Sequence, residues 1–312
     1  MTNYFKHKNI LLTGGAGFLG QWMYKELVKK GADKNKIIIP RSKTDNLLKL
    51  STVKKLVKNQ DIIIHLAGLV GGIGFNQENP ARMVYENLVM GVHLMEEARQ
   101  AGVSKFVVLG TICCYPKFAP VPFKEEDLWN GYQEKINAPY GLAKKMLLVM
   151  SQAYRQQYNF NSIFLLPVNL YGPGDNFDPR SSHVVPSLIR KIHEAKQKED
   201  KEVMVWGTGK ATREFLYVAD AARGIVLATE KYNQSEPANL GAGFEISIKD
   251  LAEKIALIMN FNGKIIWDKT KPDGQPKRCL DVSKAKKYFG FTAKTNFDEG
   301  LKKTIQWYLK HD

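Results

Sequence analysis

A tyrosine and a lysine four residues apart, Tyr140 and Lys144, are the clearest candidates for proton-transfer chemistry in this sequence. Side chains at this spacing share one face of a helix. An ammonium about 4 Å from a phenolate, at an effective dielectric constant of about 20, stabilises the anion by about 4 kcal/mol. That free energy is what is needed to lower the pKa of a tyrosine from about 10 to about 7. The pair therefore predicts a general acid or base built on Tyr140.

Spacing alone does not single out this pair, because Tyr4 and Lys8 are also four residues apart. What distinguishes Tyr140 is a hydroxyl group that we expect close to it. Thr111 follows a predicted strand at 105–109, and ligands of open parallel sheets bind at the carboxyl ends of the strands. We therefore expect Thr111 to hydrogen-bond the same substrate oxygen as Tyr140.

A glycine-rich turn lies between the first predicted strand and the first predicted helix, with glycines at positions 14, 15, 17 and 20. Glycine allows a sharp turn and a close approach to a pyrophosphate, which the free amides of the helix N-terminus then bind. The turn therefore predicts a nicotinamide dinucleotide, whose oxidised ring would add a second positive charge near the tyrosine. We expect cofactor contacts from Gly14, Gly17, Phe18, Leu19, Gly20, Arg41, Ala67, Gly68, Tyr140 and Lys144.

The residues after the second predicted strand leave the choice between NAD(H) and NADP(H) open. A carboxylate at this place binds the ribose 2′-hydroxyl of NAD(H), whereas a cation accommodates the 2′-phosphate of NADP(H). Arg41 stands here and no carboxylate occurs before Asp45, which favours NADP(H). On the other hand, Ala16 supplies no second cation in the glycine turn.

The elements that must position these groups alternate between short apolar runs and amphipathic stretches. Strands are predicted at 10–13, 36–39, 61–66, 105–109 and 162–166, and helices at 19–30, 47–58, 81–101, 140–158 and 249–259. This order predicts an α/β protein with a doubly wound, Rossmann-like parallel sheet. We expect a dinucleotide-binding domain over 1–168. A smaller α/β substrate lobe over 169–312 would return some chain to the first domain.

Composition and charge place the chain among ordinary globular proteins. Of 312 residues, 44% are hydrophobic and 25% are charged, which excludes a disordered or fibrous protein. The formal charge of +15 comes mostly from scattered lysines, which indicates a solvated surface and an anionic small-molecule substrate, with no nucleic acid as partner.

The apolar stretches and the cysteines of the sequence indicate the cellular compartment in which the protein is expected. No apolar stretch reaches the roughly 20 residues that a membrane span requires. The three cysteines, Cys113, Cys114 and Cys279, have neither disulfide-framework nor metal-ligand spacing. We expect a cytoplasmic protein with reduced thiols, no membrane contact and no metal.

Several further segments together resemble GDP-fucose synthase, a family of extended short-chain dehydrogenases/reductases that epimerises and reduces GDP-4-keto-6-deoxymannose. The resemblance runs almost end to end. It is carried by Gly-Gly-Ile at 71–73, Cys-Cys-Tyr-Pro-Lys at 113–117, Pro-Tyr-Gly-Leu-Ala-Lys at 139–144, Asn-Leu-Tyr-Gly-Pro at 169–173, Asp-Asn-Phe at 175–177, Ser-His-Val-Val-Pro at 182–186, Val-Trp-Gly at 205–207, Arg-Glu-Phe-Leu at 213–216 and Lys-Pro-Asp-Gly at 271–274.

The resemblance implies hydride transfer to or from C4 of a GDP-linked sugar by Thr111, Tyr140 and Lys144, with Thr111 where the family usually has serine. It implies that Cys113 and His183 exchange protons in a 3,5-epimerisation. It also implies a homodimer formed through the helices at 81–101 and 140–158. The residues implied to hold GDP, with the cations on its phosphates, are Asn169, Val184, Lys191, Trp206, Arg213 and Arg278.

One departure from the family leaves alternatives open. The family commonly carries a basic residue for the NADP phosphate in the glycine turn, where this chain has Ala16. The turn is more similar to those of NAD-using sugar-nucleotide epimerases and dehydratases. The alternatives are a C4 dehydrogenase of a GDP-manno-hexose or GDP-manno-heptose with tightly bound NAD(H), and a non-catalytic nucleotide-sensing regulator.

Overall fold

A six-stranded parallel sheet organises the fold. The computed structural model describes residues 3–271 and 273–311, so Pro272 of the segment at 271–274 lies outside the described residues. The strands in chain order are β1 (Ile10–Thr13), β2 (Ile37–Ile38), β3 (Ile62–His65), β4 (Lys105–Leu109), β5 (Ser162–Pro167), β6 (Asn169–Tyr171), β7 (Glu202–Trp206), β8 (Thr212–Arg213), β9 (Phe215–Tyr217), β10 (Ala238–Leu240), β11 (Ile246–Ser247) and β12 (Lys264–Asp268).

The large sheet has the order β10-β5-β4-β3-β1-β2, and every neighbouring pair is parallel. The order reverses between β1 and β3, as in a doubly wound sheet. Strands β1, β3, β4 and β5 are buried at every position, because helices cover both faces of the sheet. The predicted fold class is confirmed.

Helices connect the strands and cover the sheet. They are α1 (Phe18–Lys29), α2 (Leu50–Leu56), α3 (Ile73–Glu78), α4 (Pro80–Gln100), α5 (Ala138–Tyr158), α6 (Val184–Gln197), α7 (Val218–Lys231), α8 (Ile248–Ile258), α9 (Ser283–Phe289) and α10 (Phe297–His311). Helices α4 and α5 pack against each other. None of the helices in the described ranges is long and apolar enough to span a membrane.

The buried apolar side chains form two clusters. The first follows the large sheet and includes residues from late in the chain, such as Leu240 of β10 and Ile225 of α7. The second lies wholly after residue 170 and joins α6, α8 and α10, through side chains such as Ile189, Leu251 and Leu301. These two clusters fit the expected return of chain to the first domain, while the division at residue 168 stays a prediction.

Most elements of the first half match the sequence-based expectation. Strands β1 and β4 have the predicted bounds, while β2 is shorter, at 37–38 instead of 36–39. The helix expected at 47–58 forms only over 50–56. In the second half the sequence did not predict β10, α6, α7 or α10, and it is β10 that completes the sheet beside β5.

Candidate active site

A cleft of about 1760 Å³ lies at the carboxyl ends of the sheet strands. Its lining includes every candidate site residue predicted from the sequence except Lys144, which is buried beneath it. Folding therefore brings the glycine turn, the tyrosine, the thiol, the histidine and the cations predicted to bind phosphate to one cavity. The role of each residue stays a prediction, which the local geometry below supports or revises.

The glycine turn is shaped as an anion site at the start of α1. Gly14 has a φ of +70°, and a Cβ atom there would lie 2.8 Å from the backbone nitrogen of Ala67. A Cβ atom at Gly20 would lie 2.2 Å from the carbonyl oxygen of Gly14. Gly17 caps α1, and no side chain bonds the first amides of the helix. These amides are therefore free to bind phosphate oxygens.

The loop after β2 exposes cations at the cleft, whereas its carboxylate is hydrogen-bonded within the same loop. The Oδ2 atom of Asp45 accepts hydrogen bonds from the Arg41 amide at 3.1 Å and the Thr44 hydroxyl at 2.8 Å. These bonds lower the pKa of Asp45, so the carboxylate is fixed in its own turn. Arg41 and Lys43 are exposed at the cleft and form no ion pair within the described chain.

The tyrosine, lysine and threonine meet where β4 ends and α5 begins. Tyr140 lies in the first turn of α5, and the Nζ atom of Lys144 is 6.0 Å from the centroid of its ring. The Thr111 hydroxyl oxygen accepts a hydrogen bond from the Cys113 amide at 3.2 Å, which leaves its own proton free to donate. A Cβ atom at Gly141 would lie 2.2 Å from the carbonyl oxygen of Cys113. This glycine therefore lets α5 approach the segment after β4.

Burial determines the protonation states of Tyr140 and Lys144. Burial, with the nearby thiols of Cys113 and Cys114, raises the pKa of Tyr140 above its ordinary value. Burial also lowers the pKa of Lys144 to about 8. Contrary to the expectation from spacing, the protein groups alone do not make the phenol acidic. At pH 7 they hold a protonated phenol beside a lysine that is still mostly charged.

A buried histidine next to this pair was missed by the sequence analysis. His65 ends β3, and its Nδ1 atom hydrogen-bonds the Thr13 hydroxyl of β1 at 2.8 Å. Burial and the charge on Lys144 lower the pKa of His65 well below its ordinary range, so the ring is neutral. Its place at the carboxyl end of a central strand is the signal that could have identified it.

The second group of candidate residues surrounds Arg278. The Nη1 atom of Arg278 donates to the Sγ atom of Cys113 at 3.7 Å, and its Nε atom donates to the Oε1 atom of Gln275 at 2.9 Å. His183 precedes α6 and is exposed to the cleft. Crowding by protein atoms and the charge on Arg278 lower the pKa of His183. The Cys113 contact was not predicted, since Arg278 was expected at a phosphate.

Arg213 is a second guanidinium in the same part of the cleft. Its Nη1 atom donates to the Thr212 carbonyl at 2.7 Å and its Nη2 atom to the Asp273 carbonyl at 3.0 Å. Burial and the neighbouring Arg278 lower the pKa of Arg213 to about 9. Neither arginine forms an ion pair with a carboxylate in the described part of the chain. Two guanidinium groups without an ion-paired carboxylate in one cleft can bind an anion.

An aromatic surface and a further cation lie beside this anion site. Trp206 is 49% exposed, and the Nζ atom of Lys191 is 6.0 Å from the centroid of its ring. Lys191 also donates to the Met204 carbonyl at 3.0 Å. The Asn169 amide donates to the Glu214 carbonyl at 3.1 Å, and Val184 begins α6 at the cleft. A flat ring next to a cation suits a base with its phosphates.

Comparison with known proteins agrees with this geometry. The NAD dependent epimerase/dehydratase family matches residues 10–241, which include the glycine turn, Thr111, Tyr140 and Lys144. The chain belongs to this family. This match, together with the GDP-L-fucose synthase relatives, confirms the resemblance inferred from the sequence.

Individual members of the epimerase/dehydratase family match over nearly the whole chain. A GDP-L-fucose synthase of Sinorhizobium fredii is 39% identical over 305 residues, which are 97% of this chain and 96% of that protein. The structure of a GDP-6-OMe-4-keto-L-xylo-heptose reductase from C. jejuni has a TM-score of 0.91 at 27% identity, covering 100% and 99% of the two chains. A GDP-mannoheptose C4 reductase from Campylobacter jejuni with NADP bound has a TM-score of 0.86 at 27% identity, covering 99% of each chain.

Proposed function

We propose that this protein uses NADPH to reduce the C4 keto group of a GDP-linked sugar, after proton exchange at C3 and C5. The chain is an NAD(P)-dependent oxidoreductase of GDP-linked sugars, since it matches a GDP-L-fucose synthase and two reductases of GDP-linked heptoses over nearly its whole length. The observation that carries the proposal is one cleft that joins the glycine turn, Tyr140 with Lys144, and two arginines without carboxylate partners.

Reduction is the direction that the ionisation of the site supports. NADPH supplies a hydride to C4 when it is bound at the glycine turn. The keto oxygen then needs a proton, and Tyr140 holds one because its pKa is raised. The nearby Lys144 stabilises the phenolate that remains, and the Thr111 hydroxyl orients the keto oxygen. The solved neighbours named above are reductases, which favours this direction over the dehydrogenase alternative.

The loop after β2 supports NADPH over NADH. Arg41 and Lys43 offer two exposed cations where the ribose 2′-phosphate would lie, and the carboxylate of Asp45 is occupied by its own turn. A 2′-hydroxyl of NADH would find no free carboxylate there. The structural neighbour with NADP bound is consistent with this choice.

Cys113 and His183 are the proposed proton-exchanging residues of the epimerisation. A carbon next to a keto group loses a proton readily because the electrons pass to the keto oxygen, which Tyr140 and Thr111 would hydrogen-bond. Both Cys113 and His183 line the cleft that contains this pair. The nucleotide would place its base on Trp206 and its phosphates near Lys191 and Arg213, with Asn169 and Val184 as further contacts.

We also propose a homodimer and a cytoplasmic location. Helices α4 and α5 pack side by side and expose apolar side chains, Val84, Tyr85 and Val92 on α4 and Met146 and Val149 on α5. An apolar surface of this kind is typical of an interface between subunits. Light scattering should give twice the mass of one chain, and a monomeric mass would reject the dimer. Three free cysteines support this location.

The proposed function is tested by turnover. Purified protein is incubated with GDP-4-keto-6-deoxymannose and NADPH, and oxidation of the cofactor is followed at its nicotinamide absorbance. GDP-hexoses and GDP-heptoses with NADP⁺ or NAD⁺ test the reverse direction. Reduction with NADPH supports the proposal. Cofactor binding without turnover of any GDP-sugar would instead support a nucleotide-sensing regulator, and turnover only with NAD⁺ would support the dehydrogenase.

A further inference from the structure

Arg278 is a buried cation. Within the described residues, its one contact that could carry a negative charge is the thiol of Cys113. The side chain is 7% exposed, and its guanidinium contacts the Oε1 atom of Gln275 and the Sγ atom of Cys113. Burial of a charge without an opposite charge is costly. A thiolate at Cys113 would offset that cost, whereas a neutral thiol would not.

The segment that carries Arg278 is clamped against the segment that carries the thiol. The Nε2 atom of Gln275 donates to the carbonyls of Pro116 and Lys117, at 3.3 Å and 2.8 Å. The Oε2 atom of Glu214 accepts a hydrogen bond from the Leu280 amide at 2.6 Å. These bonds fix both sides of Arg278 in the chain. The guanidinium is thus held at the thiol by the fold and is not a freely moving surface cation.

We infer that Arg278 is a positioning residue for Cys113: its guanidinium holds the sulfur at the cleft and stabilises the thiolate form that accepts a proton. This inference rests on the proposed function. The thiolate takes a proton from a carbon beside the 4-keto group, so that a C–H bond breaks, an S–H bond forms and the electron pair moves to the keto oxygen. Protonated His183 then gives a proton to the other face of that carbon, the electron pair returns from the keto oxygen, and no net oxidation occurs.

The arginine favours the thiolate because its guanidinium lies close to the sulfur. Cys113 interacts with Tyr140 from α5, with Arg213 from β8 and with Arg278. Arg278 in turn interacts with His183 from the start of α6, and Glu134 and Asp273 act on Arg213. Arg278 contacts the sulfur, whereas it affects His183 only through a longer-range charge interaction. Because Coulomb energy falls with distance, the charge on Arg278 stabilises a thiolate at Cys113 more than it disfavours a proton on His183.

Alkylation of Cys113 tests the inference without any substrate. Cys113 is partly exposed while Cys114 and Cys279 are buried, so iodoacetamide reports on Cys113, with Cys113→Ser as the blank. In Arg278→Gln the rate at pH 6.5 should fall about tenfold, because the thiolate is the nucleophile. Arg278→Lys keeps a cation and should retain most of the rate.

Lys191→Gln is the matched control, since it removes a cation from the same cleft that does not contact the thiol. It should leave alkylation unchanged. NADPH affinity verifies that each variant is folded. If Arg278→Gln does not fold, Gln275→Met removes the bond that orients the guanidinium and should also slow alkylation. A wild-type alkylation rate at pH 6.5 in the folded variants would overturn the inference.

Measurements of turnover distinguish the positioning role of Arg278 from a role in phosphate binding. In Arg278→Gln, deuterium incorporation from solvent at C3 and C5 should fall about 10- to 100-fold. Reduction of an already epimerised 4-keto sugar should change less than about threefold. Equal losses in both reactions with a higher KM would mean that Arg278 binds phosphate, and would overturn the inference. Absence of turnover in the wild-type protein would reject the proposed function, while alkylation would still decide whether Arg278 holds the thiolate.

Discussion

The hydride-transfer group (Thr111, Tyr140 and Lys144) and the proton-exchange group (Cys113, His183 and Arg278) share one cleft but are built in different ways. The first group uses the end of β4 and one turn of α5, so most of its geometry follows from the spacing of residues along a helix. The second joins three segments that are far apart in the chain. Local spacing is enough to predict the first group, whereas the second depends on tertiary contacts.

The two groups also differ in their charge. The cation of the hydride-transfer group is a lysine whose pKa burial lowers to about 8, so that it loses its proton within the pH range of ordinary assays. The cation of the proton-exchange group is an arginine, which stays protonated throughout that range. Mutation and pH should therefore separate the two reactions, and each prediction below tests that separation.

Tyr140→Phe should have the largest effect. Loss of the proton donor should lower the rate of C4 reduction by about 10²- to 10⁴-fold, while deuterium exchange at C3 and C5 should fall much less. Cofactor affinity should be unchanged, since only a hydroxyl is removed. Stopped-flow absorbance measures the reduction. Tyr4→Phe is the matched control from the other Tyr-x-x-x-Lys pair, and full activity of Tyr140→Phe would reject the role of this tyrosine.

Cys113→Ser should slow proton exchange much more than C4 reduction, which is the opposite of the effect expected for Tyr140→Phe. A serine hydroxyl is a much weaker acid than a thiol, so deuterium incorporation at C3 and C5 should fall about 100-fold or more, as followed by NMR in heavy water. Reduction of an epimerised substrate should stay within a few-fold of wild type. Cys114→Ser is the control, because Cys114 is buried and its thiol only bonds the Gly141 carbonyl. Exchange at the wild-type rate in Cys113→Ser would make this thiol structural.

The pH dependence should differ between the two reactions. Lys144 is charged below a pKa of about 8 and neutral above it, so kcat/KM for reduction should be constant near pH 7 and then fall about tenfold per pH unit above pH 8. Tyr140 stays protonated over that range because its pKa is raised. Solvent exchange at C3 and C5 should not follow this profile, because Lys144 takes no part in it. Constant reduction up to pH 9.5 would contradict the assignment to Lys144.

Arg41→Ala should have the smallest effect and should alter neither the hydride-transfer group nor the proton-exchange group. Loss of one cation at the 2′-phosphate should raise the KM for NADPH about tenfold, equivalent to about 1.4 kcal/mol, with little change for NADH. Initial rates at varied cofactor concentration measure this. Lys34→Ala removes an exposed cation outside the cleft and serves as the control. An equal effect on both cofactors would remove Arg41 from the choice between them.

The sequence located more of the cofactor side of the cleft than of the substrate side. The glycine turn, Thr111 and the Tyr140–Lys144 pair follow directly from patterns within a single strand, turn or helix. The elements of the second half were missed because the strand–helix alternation that marked the first half does not continue there, although α6, α7 and α10 are amphipathic. Strand β10 is only three residues long, too short for a clear pattern. It becomes a strand because it pairs with β5.

By itself the sequence determined the elements whose geometry is local: residues four apart share a helix face, and glycines permit a tight turn in whatever fold contains them. Only the tertiary structure decided which distant groups touch. It placed Arg278 on Cys113 across 165 residues and buried Lys144 deeply enough to lower its pKa. The physical reason is that ionisation and long-range contact depend on the surrounding protein atoms. Those surroundings exist only once the sheet, the helices and the clamped segments have packed together.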